Sequence, residues 1–301
     1  MIPAIDYVKP RSLSEALQIL SDPQAQAKIL AGGTDILPGF HINSRRFREV
    51  KTLVDISGLD ELRGIRMADD GLHLGAAVTF TDVVKNDDIR QQYPLLSQAA
   101  VQVGSVQIRN RATLTGNFVN NAPCADSVPP LLVYDAEIKI RSLKGERRLP
   151  LREFLIKPYR TQLQPDEMVT EIFLPPPPAG FEGAFYKLGR RRAVAISRIT
   201  LALLVKLNDG VIEDIRIASG AVTPIGARFP ELEEKARGRQ AEPDFLKDLS
   251  IAMGERILQI TGLRWSSAYK LPVVQQVFYQ LLSEVCDKER GERSKDQGNN
   301  K

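Results

Sequence analysis

Two short stretches hold most of the residue types able to grip a ligand. In Ile29-Leu30-Ala31-Gly32-Gly33-Thr34-Asp35-Ile36 an apolar run ends in paired glycines. Glycines directly after a buried strand let the backbone turn sharply and bring successive N–H groups close to an anion. Such a concave row of amides suits the oxygens of a diphosphate, and Thr34 adds a hydroxyl donor. Ordinary tight turns use the same residues. The stretch matches neither G-x-G-x-x-G nor a P-loop, because no Gly-Lys-Ser/Thr follows. The second stretch, Thr113 to Ser127 (TLTGNFVNNAPCADS), carries two threonines, three asparagines, an aspartate and a serine. Hydroxyl and amide groups of this kind bond phosphate, ribose or a ring edge without a full charge. Asp126 can accept from ribose hydroxyls. A long polar loop satisfied by its own backbone has the same composition.

What the chain lacks narrows the chemistry. It has two cysteines, Cys124 and Cys286, and two histidines, His41 and His73. These are too few for Cys-ligated iron–sulfur clusters, and the Cys/His spacing of a zinc site is absent, so no metal ligands are expected. No nucleophile–base pair stands out, so no catalytic residue is assigned. Redox chemistry here would need an organic cofactor. Cys124 reads as a small buried side chain rather than a point of covalent attachment. The 41 basic and 37 acidic residues are interspersed, which argues against a nucleic-acid surface. No apolar run reaches the roughly 18 residues of a membrane span. The opening MIPAIDYVKP lacks the charged and apolar regions of a secretory signal, and two distant cysteines fit a reducing compartment. The expectation is a cytoplasmic protein.

The elements that must position these stretches are readable in outline. At 301 residues the chain has length for two or three packed units. Residues 12–20 predict a helix capped by Ser12 or Ser14, with Leu13, Ala16, Leu17 and Leu20 on one face. Strands are expected at 27–31, 51–56, 63–67 and 71–76. Helices are expected at 79–85, starting at Thr79 or Thr81, and at 94–103, opened by Pro94. Residues 132–140 alternate like a strand and turn at 142–146 into 147–149. The four prolines of 175–178 cannot continue a helix or an internal strand and mark a boundary. Beyond them come strands at 184–188, 198–207 and 211–219, the last two joined by an Asp209-Gly210 hairpin. Helices follow at 228–237, 243–258 and 272–286. Residues 287–301 carry no apolar side chain and read as a disordered tail. The fold class is α+β, with one domain over 1–175, divided near residue 57, and a C-terminal domain over 179–286 built on a three-stranded sheet with helices.

Taken together the two stretches are specific. The order A-G-G-T-D near residue 31, then Q-I-R-N-R-A-T-L-T-G-N…A-P-C-A-D-S over 107–127, resembles the FAD-binding subunits of the molybdenum hydroxylases. That family includes the flavin subunits of carbon monoxide dehydrogenase and 4-hydroxybenzoyl-CoA reductase and the flavin domain of xanthine dehydrogenase. Leu53-Val54-Asp55-Ile56, Leu74 to Thr79, Tyr159-Arg160-Thr161 and Phe185 to Arg191 fall in the same order, so the likeness runs to about residue 285. The resemblance implies a two-part FAD-binding region of the PCMH/vanillyl-alcohol-oxidase type and a C-terminal flavoprotein domain. It implies non-covalent FAD, wrapped at its diphosphate by Ile29, Leu30, Ala31, Gly32, Gly33, Thr34, Asp35 and Ile36. Thr113, Gly116, Asn117, Asn120 and Asp126 would meet phosphate, ribitol and ribose. Val103 would pack near the flavin, Val169 near the adenine, and Lys187 would approach the cofactor; taken alone Lys187 could be a solvated strand-end lysine, but the surrounding pattern favours cofactor contact.

The resemblance further implies a large molybdopterin subunit that oxidises substrate, a small subunit with [2Fe-2S] clusters, and an electron acceptor, NAD or another. The chain departs from the pattern in three places. Thr115-Gly116-Asn117 replaces Gly-Gly-Asn, and a positive φ at Thr115 would strain it. Ala193-Val194-Ala195 stands where relatives have an acidic residue, and no iron–sulfur insertion is present. Two other readings remain: a free-standing FAD-dependent oxidoreductase of the same fold, and a non-catalytic nucleotide-binding assembly module.

Overall fold

The computed structural model describes residues 4–191 and 194–298, with side chains as far as Lys288. The chain opens with β1 (Asp6–Val8), α1 (Leu13–Ser21), β2 (Ala27–Leu30), α2 (Ile36–His41), β3 (Thr52–Asp55), β4 (Ile65–Ala68) and β5 (Gly71–Gly75). Helices α3 (Phe80–Lys85), α4 (Asp87–Gln92), α5 (Pro94–Val101), α6 (Val106–Arg109), α7 (Leu114–Asn120) and α8 (Val128–Val133) follow. Then come β6 (Glu137–Ser142), β7 (Gly145–Pro150), α9 (Leu151–Phe154), β8 (Leu155–Lys157), β9 (Arg160–Thr161) and β10 (Met168–Leu174). The remainder is β11 (Glu182–Gly189), β12 (Ser197–Asn208), β13 (Val211–Gly220), β14 (Ala227–Arg228), α10 (Pro230–Ala236), α11 (Pro243–Thr261) and α12 (Ser267–Gly298). Two compact units result: Met1–Ala122 with Tyr134–Pro176, and Pro123–Val133 with Pro177–Lys301.

The first unit holds two sheets. β1, β3 and β2 form a parallel sheet with β3 in the middle, in register Tyr7↔Leu53 and Ile29↔Val54. Every residue of β3 is buried, as expected of a central parallel strand covered on both faces. Against it α1 lays Leu13, Ala16, Leu17 and Leu20, the 3.6-residue stripe of the sequence, and Ser12 accepts from the Glu15 N–H at 3.2 Å. The second sheet is antiparallel, in the order β4-β5-β10-β6-β7. A reciprocal Thr79–Asp82 capping box starts α3, and Pro94 opens α5.

In the second unit β11-β12-β13-β14 form an antiparallel sheet, and residues of β12, β13, α10, α11 and α12 share one apolar core. Asp209 (φ 51°) and Gly210 (φ 79°) make the β12–β13 turn in the left-handed region that matches strand twist.

Several expectations change. The C-terminal sheet has a fourth strand, β14, only two residues long and so without a readable alternation. Residues 132–140 are not one strand: Val128–Val133 is helical, Asp135 takes φ 53°, and β6 starts at Glu137. The six-residue helix VPPLLV is buried at every position, which hides helical periodicity; it packs on β12 and β13 and so joins 123–133 to the second unit. The stretch 113–127 is no simple loop, because α7 lies in it and α8 begins directly after it. Residues 287–298 continue α12. A helix already nucleated by packing propagates readily into Lys, Glu and Arg. Residues 299–301 of the expected tail, and Ala193, lie outside the described residues.

Candidate cofactor site

The first stretch leaves the parallel sheet at the end of β2. Ile56 N–H donates to the Leu30 carbonyl at 2.9 Å, and the chain then turns through Gly32 and Gly33 (φ 73°). A Cβ on Gly32 would sit 2.0 Å from the Arg111 carbonyl oxygen and 2.9 Å from the Ala112 Cα. Only glycine lets these two backbones touch, so the first stretch rests directly on the segment that leads into the second. Residues 29–34 are all half-buried. Among the described residues, the N–H groups of Gly32, Gly33 and Thr34 and the Thr34 hydroxyl have no acceptor in the chain. Ile36 is buried in α2, whereas Asp35 is exposed.

The second stretch is anchored by backbone. Phe80 N–H donates to the Ala112 carbonyl and Leu114 N–H to the Val78 carbonyl, both at 3.0 Å. The Thr113 hydroxyl accepts from the Gly116 N–H at 3.0 Å and caps α7, a use of Thr113 that polar composition alone does not reveal. Thr115 lies inside α7 and is not among the positive-φ residues, so the expected strain is absent. Its hydroxyl is buried without a partner among the described residues. Gly116 is exposed, and Asn117 and Asn120 are half-buried.

Arg46, which the sequence reading missed, ties the two stretches together. Its guanidinium donates to Asn120 Oδ1 at 2.6 Å and to Asp35 Oδ2 at 3.1 Å. It also lies over the rings of Tyr159 (4.3 Å to the centroid) and Phe47 (4.8 Å). Tyr159 is itself held with φ 61° by donating its N–H to the Asn121 carbonyl at 2.9 Å. Asn121 is buried and donates from its side chain to the carbonyls of Lys157 and Arg160, each at 2.9 Å. Arg46 stands 74 residues from Asn120, and no spacing rule points to it. The other two expected positions in this unit lie on other elements. Val103 is buried before Gly104, its carbonyl accepting from Arg109 at 3.0 Å, and Val169 is buried in β10 at a bulge.

Asp126 and Lys187 belong to the second unit and meet there. Lys187 Nζ donates to Asp126 Oδ2 at 2.6 Å with both side chains buried, and the Ser197 hydroxyl donates to the other carboxylate oxygen. Burial pushes the Asp126 carboxyl up; the Lys187 ammonium and the Ser197 hydroxyl pull it back.

A family model described as the FAD binding domain in molybdopterin dehydrogenase matches residues 3–177, which include both stretches. The chain belongs to that family. A second model, the CO dehydrogenase flavoprotein C-terminal domain, matches residues 184–285. The chain is 34% identical over 281 residues to a putative xanthine dehydrogenase FAD-binding subunit of Escherichia coli strain K12, covering 93% of this chain and 95% of that one. It is 31% identical to the nicotinate dehydrogenase FAD-subunit of Eubacterium barkeri, over 95% and 97% of the two chains. A carbon monoxide dehydrogenase structure from Hydrogenophaga pseudoflava superposes with a TM-score of 0.85 at 27% identity, covering 95% of this chain and 98% of that chain.

The α+β fold and the FAD-binding family expected from the resemblance are thus established, and this flavoprotein is an oxidoreductase component. The residues present fit FAD: a glycine turn that no side chain could replace carries a row of amides without acceptors beside uncharged polar groups. Among the described residues no cluster of His, Cys, Asp and Glu could hold a metal, and no helix is long and apolar enough to cross a membrane.

Proposed function

We propose that this chain is the FAD-bearing electron-transfer subunit of a heteromeric, cytoplasmic molybdenum hydroxylase. Substrate is oxidised in a large molybdopterin subunit, a small subunit carries [2Fe-2S] clusters, and the acceptor is NAD or another redox carrier. When bound, FAD supplies one- and two-electron chemistry. In this reading residues 29–36 wrap the diphosphate, with the amides of Gly32, Gly33 and Thr34 as its donors. Gly116, Asn117 and Asn120 supply uncharged contacts to the ribitol and ribose, while Thr113 holds α7 in place and Arg46 fixes Asn120 relative to Asp35. Val103 and Val169 contribute packing and backbone contact. Asp126 and Lys187, engaged with each other, are assigned to the integrity of the second unit rather than to direct cofactor contact.

The observation that carries this reading is the Gly32–Arg111 backbone contact beside amides left without acceptors. The test is the visible spectrum of the purified chain and the identity of the cofactor released on heating. Oxidised-flavin bands and equimolar FAD are expected, with molybdopterin and iron–sulfur subunits co-purifying from the native host. A colourless chain that stays colourless after FAD is added overturns the assignment.

A further inference from the structure

The second unit contains a group of cations that the FAD reading does not use. Lys270, in the first turns of α12, is half-buried and donates to the Ala221 carbonyl at 2.7 Å. Burial pushes the Lys270 pKa down, and the charges of Arg198, on β12, and Arg264, in the connection between α11 and α12, push it further the same way. Arg198 lies 5.9 Å from the centroid of the Tyr269 ring. Elsewhere in this unit arginines hold carboxylates: Arg228 pairs with Glu233, Arg237 with Asp214 and Arg256 with Glu231. Among the described residues, Arg198, Arg264 and Lys270 have no carboxylate within ion-pair distance. Arg198 and Lys270 are half-buried and Arg264 is exposed; like charges brought together without a counter-charge are unfavourable, and an anion from outside would relieve them.

A small open cleft, about 30 Å³ in volume, lies beside them and is lined on its polar side by Thr261, Arg264, Ser266, Ser267 and Lys270. The Ser267 hydroxyl is engaged by the Arg264 N–H at 2.8 Å, and the Thr261 hydroxyl donates to the Gly262 carbonyl at 2.9 Å. Ser266 offers a hydroxyl without a bond among the described residues, and Ser267, which only accepts, keeps its own O–H as a donor. On the rim, Leu263 is 86% and Trp265 89% exposed, one on each side of Arg264.

We infer that this cleft binds a compact oxyanion of the phosphate class, gripped by Arg264 and Lys270 with Arg198 adding charge and Ser266 a hydroxyl bond. Guanidinium and ammonium groups with a hydroxyl suit phosphate oxygens. The phosphate is supplied either as the free ion or on a nucleotide whose ring stacks on Trp265.

The inference is independent of the FAD site and is tested on the FAD-loaded full chain, with flavin content followed in parallel. Trp265 is the sole tryptophan, so its fluorescence reports on the rim directly. Inorganic phosphate and AMP are titrated at constant ionic strength against chloride, with calorimetry alongside. Saturable phosphate binding with a Kd on the order of 1 mM is expected, without loss of flavin. Arg264→Gln should weaken it roughly tenfold. Tighter binding of AMP with quenched Trp265 fluorescence would identify the nucleotide source, and equal affinity the phosphate group alone. Lys270→Met removes the bond to Ala221 and can disturb folding, so Arg198→Gln, which has no such bond, is measured beside it. Absence of saturable binding, equal binding of chloride, or unchanged affinity in both Arg264→Gln and Arg198→Gln overturns the inference.

Discussion

In the first unit the amides of Gly32, Gly33 and Thr34 sit half-buried with no acceptor among the described residues, on a turn closed by backbone contact with Arg111. In the second unit the ionisable side chains of Asp126 and Lys187 are more deeply buried, yet each engages the other at 2.6 Å, with Ser197 on the remaining carboxylate oxygen. In the function proposed above, the paired ionisable groups hold the second unit together and the neutral donors face the cofactor. The physical reason is cost: an ion taken from water needs its partner within the chain, whereas a half-exposed amide can wait for a ligand with only water as partner. Residue type alone does not distinguish these regions, whereas hydrogen-bond accounting shows one closed on itself and the other open to a ligand.

The comparison breaks most visibly at Lys187. Lys187→Met strands a buried carboxylate, and the second unit should lose about 3–5 kcal/mol, read by hydrogen exchange across β11 and β12. Asp126 titrates higher in the folded chain than its ordinary value, so protonation favours folding. Its stabilising effect is complete below the unfolded pKa of about 3.9 and is lost as pH rises through the folded pKa. Removing Lys187 takes away an interaction that lowers this pKa and widens the gap. The deficit of Lys187→Met against the parent should therefore be largest near neutral pH and shrink as pH falls. A deficit independent of pH would contradict the pairing.

Gly32→Ala tests the other side. Its Cβ meets backbone, which cannot swing away, so a loss of about 3 kcal/mol and of bound FAD is expected from unfolding and flavin content. Gly64→Ala, with open space around it and no positive φ, is the control and should stay within about 0.5 kcal/mol. If Gly32→Ala keeps its flavin, the turn is not the diphosphate site.

These two variants also mark what the sequence could reveal. A glycine pair after an apolar strand is a local signal, and so are the Ser12 cap, the Asp209-Gly210 turn and the stripe on α1. The Asp126–Lys187 pair spans 61 residues and Arg46–Asn120 spans 74, and folding alone brings such partners together. α7 was hidden because TLTGNFVN reads as loop chemistry; its cap comes from Thr113 and its seat from Leu114 and Phe118, both fully buried.

Arg46→Met sharpens the comparison at smaller scale. The side chain is about one-third exposed, so its bonds to Asp35 and Asn120 are discounted for solvent. With the stacking on Tyr159 added, about 1 kcal/mol of site organisation is lost, or roughly a fivefold weaker FAD affinity. Fluorescence titration of FAD into deflavinated chain reads it, while stability should barely move. A large stability loss without change in affinity would make Arg46 a structural clamp only.

The smallest effect is expected at Thr115. Its hydroxyl is buried and has no partner among the described residues, so it opposes folding where the equivalent methyl would not. Thr115→Val keeps the shape, and the two residues have similar helix propensity. A gain of about 0.5–1 kcal/mol is expected with FAD affinity unchanged, measured by thermal unfolding and titration on one preparation. Stability and affinity can diverge at this position: if the variant is more stable yet binds FAD more weakly, the Thr115 hydroxyl belongs with the amides of Gly32 and Gly33 as a donor kept for the cofactor.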